Sequence, residues 1–202
     1  MKSLSEIETV SKRASRAAGF SWGICEEIGK NIRLLEMFGF PGIKNLNQYL
    51  EKKKEQKFEH LKLINAENKA STLQYCPIIS GTSLLDQINS IDNLNEINFE
   101  KIAFPVLFLP FASRASEIVG KRIFLKFDEC EFLLNFNNNI FSNFSDHNLT
   151  LANFVTIKLL KNSDSFSDKE WNKLYKLSEK TFVEENDSSK ESDAGAGLTD
   201  ND

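Results

Sequence analysis

Apolar residues at the start of the chain recur every three to four positions: Leu4, Ile7, Val10, Ala14 and Ala17, then Ile24, Ile28, Ile32 and Leu35. That spacing is helical and predicts two helices, one from Leu4 until Gly19 stops the pattern, and one from about Ser21 to Phe38, closed by Gly39 and Pro41. Ser3 and Glu6 have the spacing of a capping box. Only Gly19, Phe20 and Ser21 lie between the helices, so the chain opens with a helical hairpin. Pro41 fits the first turn of a third helix carrying Ile43, Leu46 and Leu50, which runs into the charged segment Glu51 to Glu59. Residues Phe58 to Ser71 alternate too weakly to choose between a frayed helix end and a strand. Cys76 to Thr82 reads as a turn-rich apolar patch, followed by a short helix over Ser83 to Ile91 that Thr82 or Ser83 caps.

The period changes in the second half. Ile102 to Leu109 is an apolar run of strand length bounded by Pro110, and Ala112 to Val119 reads as a short helix ending at Gly120. Arg122 to Phe127, Glu131 to Phe136, Ile140 to Phe144 and Phe154 to Leu160 read as strands, with a turn at Asn137-Asn138-Asn139. Strands this close together predict an antiparallel meander. Ser167 and Glu170 offer a second capping box, and Trp171, Leu174, Tyr175 and Leu177 give the helix after it an apolar face up to about Phe182. Helices first and strands afterwards indicate an α+β fold: an N-terminal helical hairpin, a mixed middle, an antiparallel sheet and a C-terminal helix. Residues 1–182 form one domain in this reading, and 183–202 a flexible acidic tail.

Composition narrows the class. With 202 residues and 41% hydrophobic content the chain can bury a core without disulfide or metal staples, and it is too apolar to be disordered. No apolar run approaches the roughly 18 residues of a membrane span, and the N-terminus lacks the order of a signal peptide, so the expected location is the cytoplasm and no membrane partner is expected. Cys25, Cys76 and Cys130 are far apart, with no CxxC spacing and only His60 and His147 to help them; this argues against a zinc site, and no metal or other cofactor is implied. Three matches to the glycosylation acceptor pattern, at Asn143, Asn148 and Asn186, carry meaning only in a secreted protein and read as chance.

The formal charge of -4 is unevenly spread. Val183 to Asp202 carries seven acidic side chains and one lysine, so the tail holds -6 and the rest of the chain +2. That near-neutral body has no basic stripe, and the Lys52-Lys53-Lys54 run is interleaved with Glu51, Glu55 and Glu59, so no nucleic-acid partner is expected.

Functional-looking side chains are densest at the hairpin: Lys12, Arg13, Arg16, Trp22, Glu26, Glu27 and Lys30. Arg13 and Arg16 share a helix face, as do Glu26 and Lys30. They read either as interhelical ion pairs with an aromatic on the turn, the commoner outcome of such spacing, or as an anion pocket in which two guanidiniums grip a carboxylate or phosphate. Gly23 and Gly29 each cost a helix about 1 kcal/mol relative to Ala, which calls for close approach of another backbone or of a ligand. Cys76 is either a buried thiol or a nucleophile that would need a cation, a histidine or a helix N-terminus beside it. Arg114 follows the apolar run and reads as a solvated residue or a ligand contact. The closing stretch Asp193 to Asp202 is either a mobile tail or a docking peptide anchored by Leu198, with Asp200 and Asp202 as contacts for cations or a metal.

The run from Ser5 to Glu8, then Lys12 through Gly23, Glu26-Glu27 and Gly29-Lys30, resembles the opening of an uncharacterised bacterial family, the domain of unknown function 3726, seen chiefly in alphaproteobacteria. Cys76-Pro77 with Gly81, Leu109-Pro110-Phe111 with Ser113-Arg114, and Gly195 to Asp202 are similar to its later segments. The resemblance implies no activity, cofactor or catalytic residue, but it draws attention to the hairpin and the C-terminal peptide. Three functions are therefore expected. The first is binding of a small anionic metabolite or a partner enzyme through Arg13, Arg16, Trp22, Glu26 and Arg114. The second is a small metabolic enzyme acting on a carboxylate or phosphate substrate, with Glu26 or Cys76 as acid, base or nucleophile. The third is an accessory subunit whose C-terminal peptide docks into a partner.

Overall fold

A computed structural model describes residues 2–135, 140–145 and 148–181. The acidic tail with its closing peptide, the Asn137-Asn138-Asn139 turn and His147 lie outside them. Helix α1 (Leu4–Ala17) starts where the Ser3 hydroxyl accepts the Glu6 amide at 3.1 Å, and it ends at Gly19 in the left-handed region, φ +92°. Helices α2 (Trp22–Met37) and α3 (Gly42–Glu55) follow at the predicted places. The middle segment holds a two-residue strand, β1 (Glu67–Asn68), between irregular stretches.

Helix α4 (Pro77–Ile91) corrects the expectation of a turn over Cys76 to Thr82. The helix begins at Pro77, which tolerates the first turn because its missing N–H would have no partner there. The Cys76 sulfur accepts the Ile79 amide at 3.4 Å and takes the place of a polar cap. The apolar run Ile102 to Leu109 is also not a strand. Strand β2 (Glu96–Ala103) starts six residues earlier and stops where Phe104 turns left-handed at φ +44°; Pro105–Leu107 then form a 3-10 turn, and α5 (Leu109–Val119) takes Pro110 into its first turn. An apolar run buried on all sides shows no period, so its local sequence does not separate a strand from core turns.

Strands β3 (Ile123–Phe127), β4 (Cys130–Leu134), β5 (Ile140–Ser142) and β6 (Leu151–Leu159) complete a sheet of order β1-β2-β6-β3-β4-β5 among the described residues. Only β3, β4 and β5 form the expected meander. Strand β6 inserts between β2 and β3, with Val155 opposite Phe99 and Ile157 opposite Leu125, and β1 pairs parallel to β2, so the sheet is mixed. One sheet face is buried through Ile97, Phe99, Leu125, Phe127, Phe132, Val155 and Ile157, while Lys126, Glu131, Thr156 and Lys158 stand on the other. Helix α5 packs on β3 and β4, α4 packs on α5, α2 on both of these, and α1 and α3 lie outermost against α2. The fold is α+β.

These elements form one compact unit, Met1–Asn162, and a second begins at Ser163. The second unit carries α6 (Asp168–Ser178), whose capping box is complete: the Ser167 hydroxyl accepts the Glu170 amide at 3.3 Å and the Ser167 amide donates to the Glu170 carboxylate at 2.8 Å. No residue of α6 is buried, and the rings of Phe166 and Trp171 stack at 5.6 Å.

Candidate functional site

Helix α1 turns an unexpected side inward. Its buried residues are Ser11 and Ser15, while Leu4, Val10, Ala14 and Ala17 of the apolar stripe are exposed. Gly29 of α2 explains the rotation: a Cβ there would stand 2.8 Å from the Glu8 carbonyl oxygen and 3.3 Å from the Lys12 Cβ. The two backbones approach closely, and only small side chains fit along that line. Gly23 has no such neighbour within 4 Å; it sits in the first turn of α2, so close approach accounts for Gly29 alone.

The expected site residues are spread over this hairpin. The Arg16 guanidinium donates to the Phe20 carbonyl at 2.8 Å and lies 5.2 Å from the centre of the Trp22 ring, so these two meet at the turn. Arg13 and Glu26 are exposed and make no hydrogen bond or ion pair among the described residues. Arg114 reaches from α5 to Glu27, not Glu26, and Lys30 stands 3.4 Å from the same carboxylate. Burial alone would push the Glu27 carboxyl up, but the Arg114 and Lys30 charges outweigh it and hold the group below its ordinary value. Glu8 and Arg33 form a further pair across the hairpin at 3.1 Å. Cys76 is elsewhere, buried beneath Tyr49, whose hydroxyl is 3.0 Å from its sulfur. Burial raises both groups, so thiol and phenol are neutral partners despite the helix N-terminus next to them. No disulfide links the three cysteines.

A depressed carboxyl adds stability that is complete at neutral pH and disappears as pH falls through its folded value, below the ordinary range of about 4.3. Arg114→Met is therefore expected to lower stability at neutral pH, and its deficit relative to the parent should close on acidification. Urea unfolding across a pH series checks this; a deficit independent of pH would mean the pair contributes only packing.

Among the described residues, the hollows on the helical layer include one along α1 and α3 and one at the end of α3. The first is a furrow between α1 and α3, about 150 Å³, walled by Ile7, Val10 and Ala14 from one side and Ile43 and Leu46 from the other. Val10 is 59% and Ile43 40% exposed. Ser11 lies in the floor, and Lys2, Glu6 and Asn47 are the polar groups at the margin, Lys2 and Glu6 paired at 2.9 Å. The second hollow, about 260 Å³, lies at the end of α3 between Tyr49, Lys53, Gln56, Lys57, Phe58 and His60. Arg13, Arg16, Glu26 and Arg114 line neither.

None of the site residues expected from the sequence belongs to the second hollow, although a signal for it is present: Tyr49, Lys53, Gln56 and Lys57 recur at helical spacing, and Phe58 and His60 continue at a period of two. The backbone becomes extended at Gln56, with φ -139°, and Glu59 pairs with Tyr75 as in a parallel sheet. That pairing turns Phe58 and His60 to the hollow. The Glu59 carboxylate instead accepts the amide and hydroxyl of Ser71, at 3.0 and 2.9 Å.

Residues 2–75 match the family described as a protein of unknown function, DUF3726. Over that stretch, somewhat more than a third of its length, the chain is similar to this family. No curated protein and no solved structure matches the chain. The matched stretch contains α1, α2, α3 and β1 together with both hollows in full, and it stops one residue short of Cys76. The resemblance at Cys76-Pro77, at Leu109 to Arg114 and at the closing peptide falls outside the match. Among the described residues, no three His, Cys, Asp or Glu side chains gather as metal ligands would, and no helix is long and apolar enough to cross a membrane.

Proposed function

We propose that the protein is a docking module whose furrow between α1 and α3 seats an apolar helical segment of a partner protein, such as an enzyme it accompanies. The observation that carries this reading is the rotation of α1, which buries two serines and leaves most of an apolar stripe on the surface, with Val10 and Ala14 beside Ile43. An apolar stripe left outside with polar groups at its margin is a common mark of an interaction site. At about 150 Å³ the furrow is smaller than the roughly 300–1,000 Å³ of small-molecule pockets. It suits one or two side chains of an amphipathic helix laid along it, with anchors three or four residues apart. The expected anion grip of Arg13 and Arg16 has less support, since Arg16 is engaged at the hairpin turn and no second guanidinium joins it. We place the encounter in the cytoplasm, where the Cys25 and Cys76 thiols stay reduced.

The test is photo-crosslinking in the cells that make the protein, with a benzophenone side chain at Ile43 or, as a control, at Glu26. A discrete adduct from Ile43, absent from Glu26, is expected. Val10→Asp should abolish that adduct while leaving thermal unfolding within about 0.5 kcal/mol of the parent, because Val10 is largely exposed. No adduct at Ile43, or equal adducts at both positions, would overturn the reading.

A further inference from the structure

We propose that the hollow at the end of α3 is a binding site for a small organic anion, its oxyanion head held by Lys53, Lys57 and His60 and its body resting on Phe58, which the buried Tyr49 ring backs. This is independent of the docking furrow and uses none of its residues. The polar lining consists of two ammonium groups, an imidazole and the Gln56 amide, and it includes no carboxylate. Glu55 and Glu59, the acidic residues next to it in sequence, are both outside the lining, and Glu59 is held away on Ser71 by two hydrogen bonds. A hollow so lined attracts charge of one sign only. Lys53 is set in place by donating to the Ala18 carbonyl at 3.0 Å, with its ammonium 4.9 Å from the Phe20 ring centre, so its position costs little further ordering when an anion arrives.

The apolar side of the hollow argues for an organic body as well as a charged head. The half-buried Phe58 ring is the wall, and the buried Tyr49 ring, its centre 5.1 Å away and its hydroxyl occupied by Cys76, backs it. A volume of about 260 Å³ is just under the roughly 300 Å³ at which drug-sized pockets begin, so the ligand is a molecule of few heavy atoms.

The experiment titrates the full chain with benzoate, with inorganic phosphate and with chloride at matched ionic strength, following backbone amide shifts by NMR. Benzoate carries an oxyanion on an aromatic body, and phosphate is the head alone. Saturable shifts centred on Gln56 to His60 with benzoate, weaker with phosphate and absent with chloride, are expected. Lys57→Ala and His60→Ala, both at exposed positions, should each weaken binding about tenfold, the size of one lost charge-assisted hydrogen bond. Phosphate binding as tightly as benzoate would overturn the organic body and reduce the site to a head-group contact. Linear shifts without saturation, or saturation unchanged in the Lys57→Ala, His60→Ala double variant, would overturn the site altogether. Either result leaves the crosslinking experiment on the furrow unaffected, so the two readings fail separately.

Discussion

Gly81→Ala is expected to lose about 3 kcal/mol or more, the upper part of the range for forcing extra carbon into a packed core. A methyl group at this position in α4 would enter the ring of Phe111, with Cε2 at 2.8 Å and Cγ and Cδ2 nearer still. Phe111 cannot step aside, because it is 1% exposed on α5, which itself packs on β3 and β4. The contact is therefore the point at which the upper helices rest on the helix that covers the sheet. A domain with an ordinary margin of about 5–15 kcal/mol would lose a large share of it through one methyl group. Phe111→Leu removes the obstructing ring at its own cost, so the double variant should be more stable than the two single effects added. A coupling of about 1–3 kcal/mol in a urea double-mutant cycle is the expected sign. Additive losses would show that the clash relaxes into some other neighbour.

The same contact shows why only part of the fold is legible in the sequence. Gly81 invites a turn assignment because flexibility is what a glycine signals locally, whereas its place in α4 is set by a ring thirty residues later. Helices α1, α2 and α3 can be read because period and punctuation are local properties: Ser3 caps one end and Gly19 closes the other. Which side of α1 faces inward cannot, since apolar periodicity favours the Val10 side and the close approach at Gly29 selects the serines. Strand β6 is recognisable as a strand, but its place between β2 and β3 depends on pairing over fifty residues, which no turn signal encodes. The arginines stand out as site candidates because charge at regular spacing is easy to see. Arg16 is tied to its own turn and Arg114 to a glutamate on another helix, and the donors of the second hollow become a group only when the chain after α3 extends and folds back.

Tyr49→Ala is the second large effect, expected to cost about 3–5 kcal/mol as for other aromatic truncations in a core. Tyr49 is 1% exposed and central to a ring cluster, with Phe20, Phe58 and Phe104 at 6.4, 5.1 and 5.9 Å between centres. Through those contacts α3 is joined to the hairpin turn, to the extended chain after it and to the left-handed residue that ends β2. Tyr49→Phe keeps every ring contact and removes only the hydroxyl that meets the Cys76 sulfur at 3.0 Å. It should cost about 1 kcal/mol, the net value of one buried hydrogen bond. Cys76→Ala also gives up the sulfur that caps α4, so it should cost more than Tyr49→Phe, and part of that cost should vanish when the hydroxyl is already gone. Equilibrium urea unfolding of the three single variants and of the Tyr49→Phe, Cys76→Ala double variant separates the contributions. If Tyr49→Phe were as damaging as Tyr49→Ala, the thiol bond rather than the ring cluster would be what holds α3 over the sheet. The expected order is the reverse, because a neutral hydroxyl and thiol exchange hydrogen bonds with water almost evenly on unfolding, whereas three buried ring contacts are lost outright.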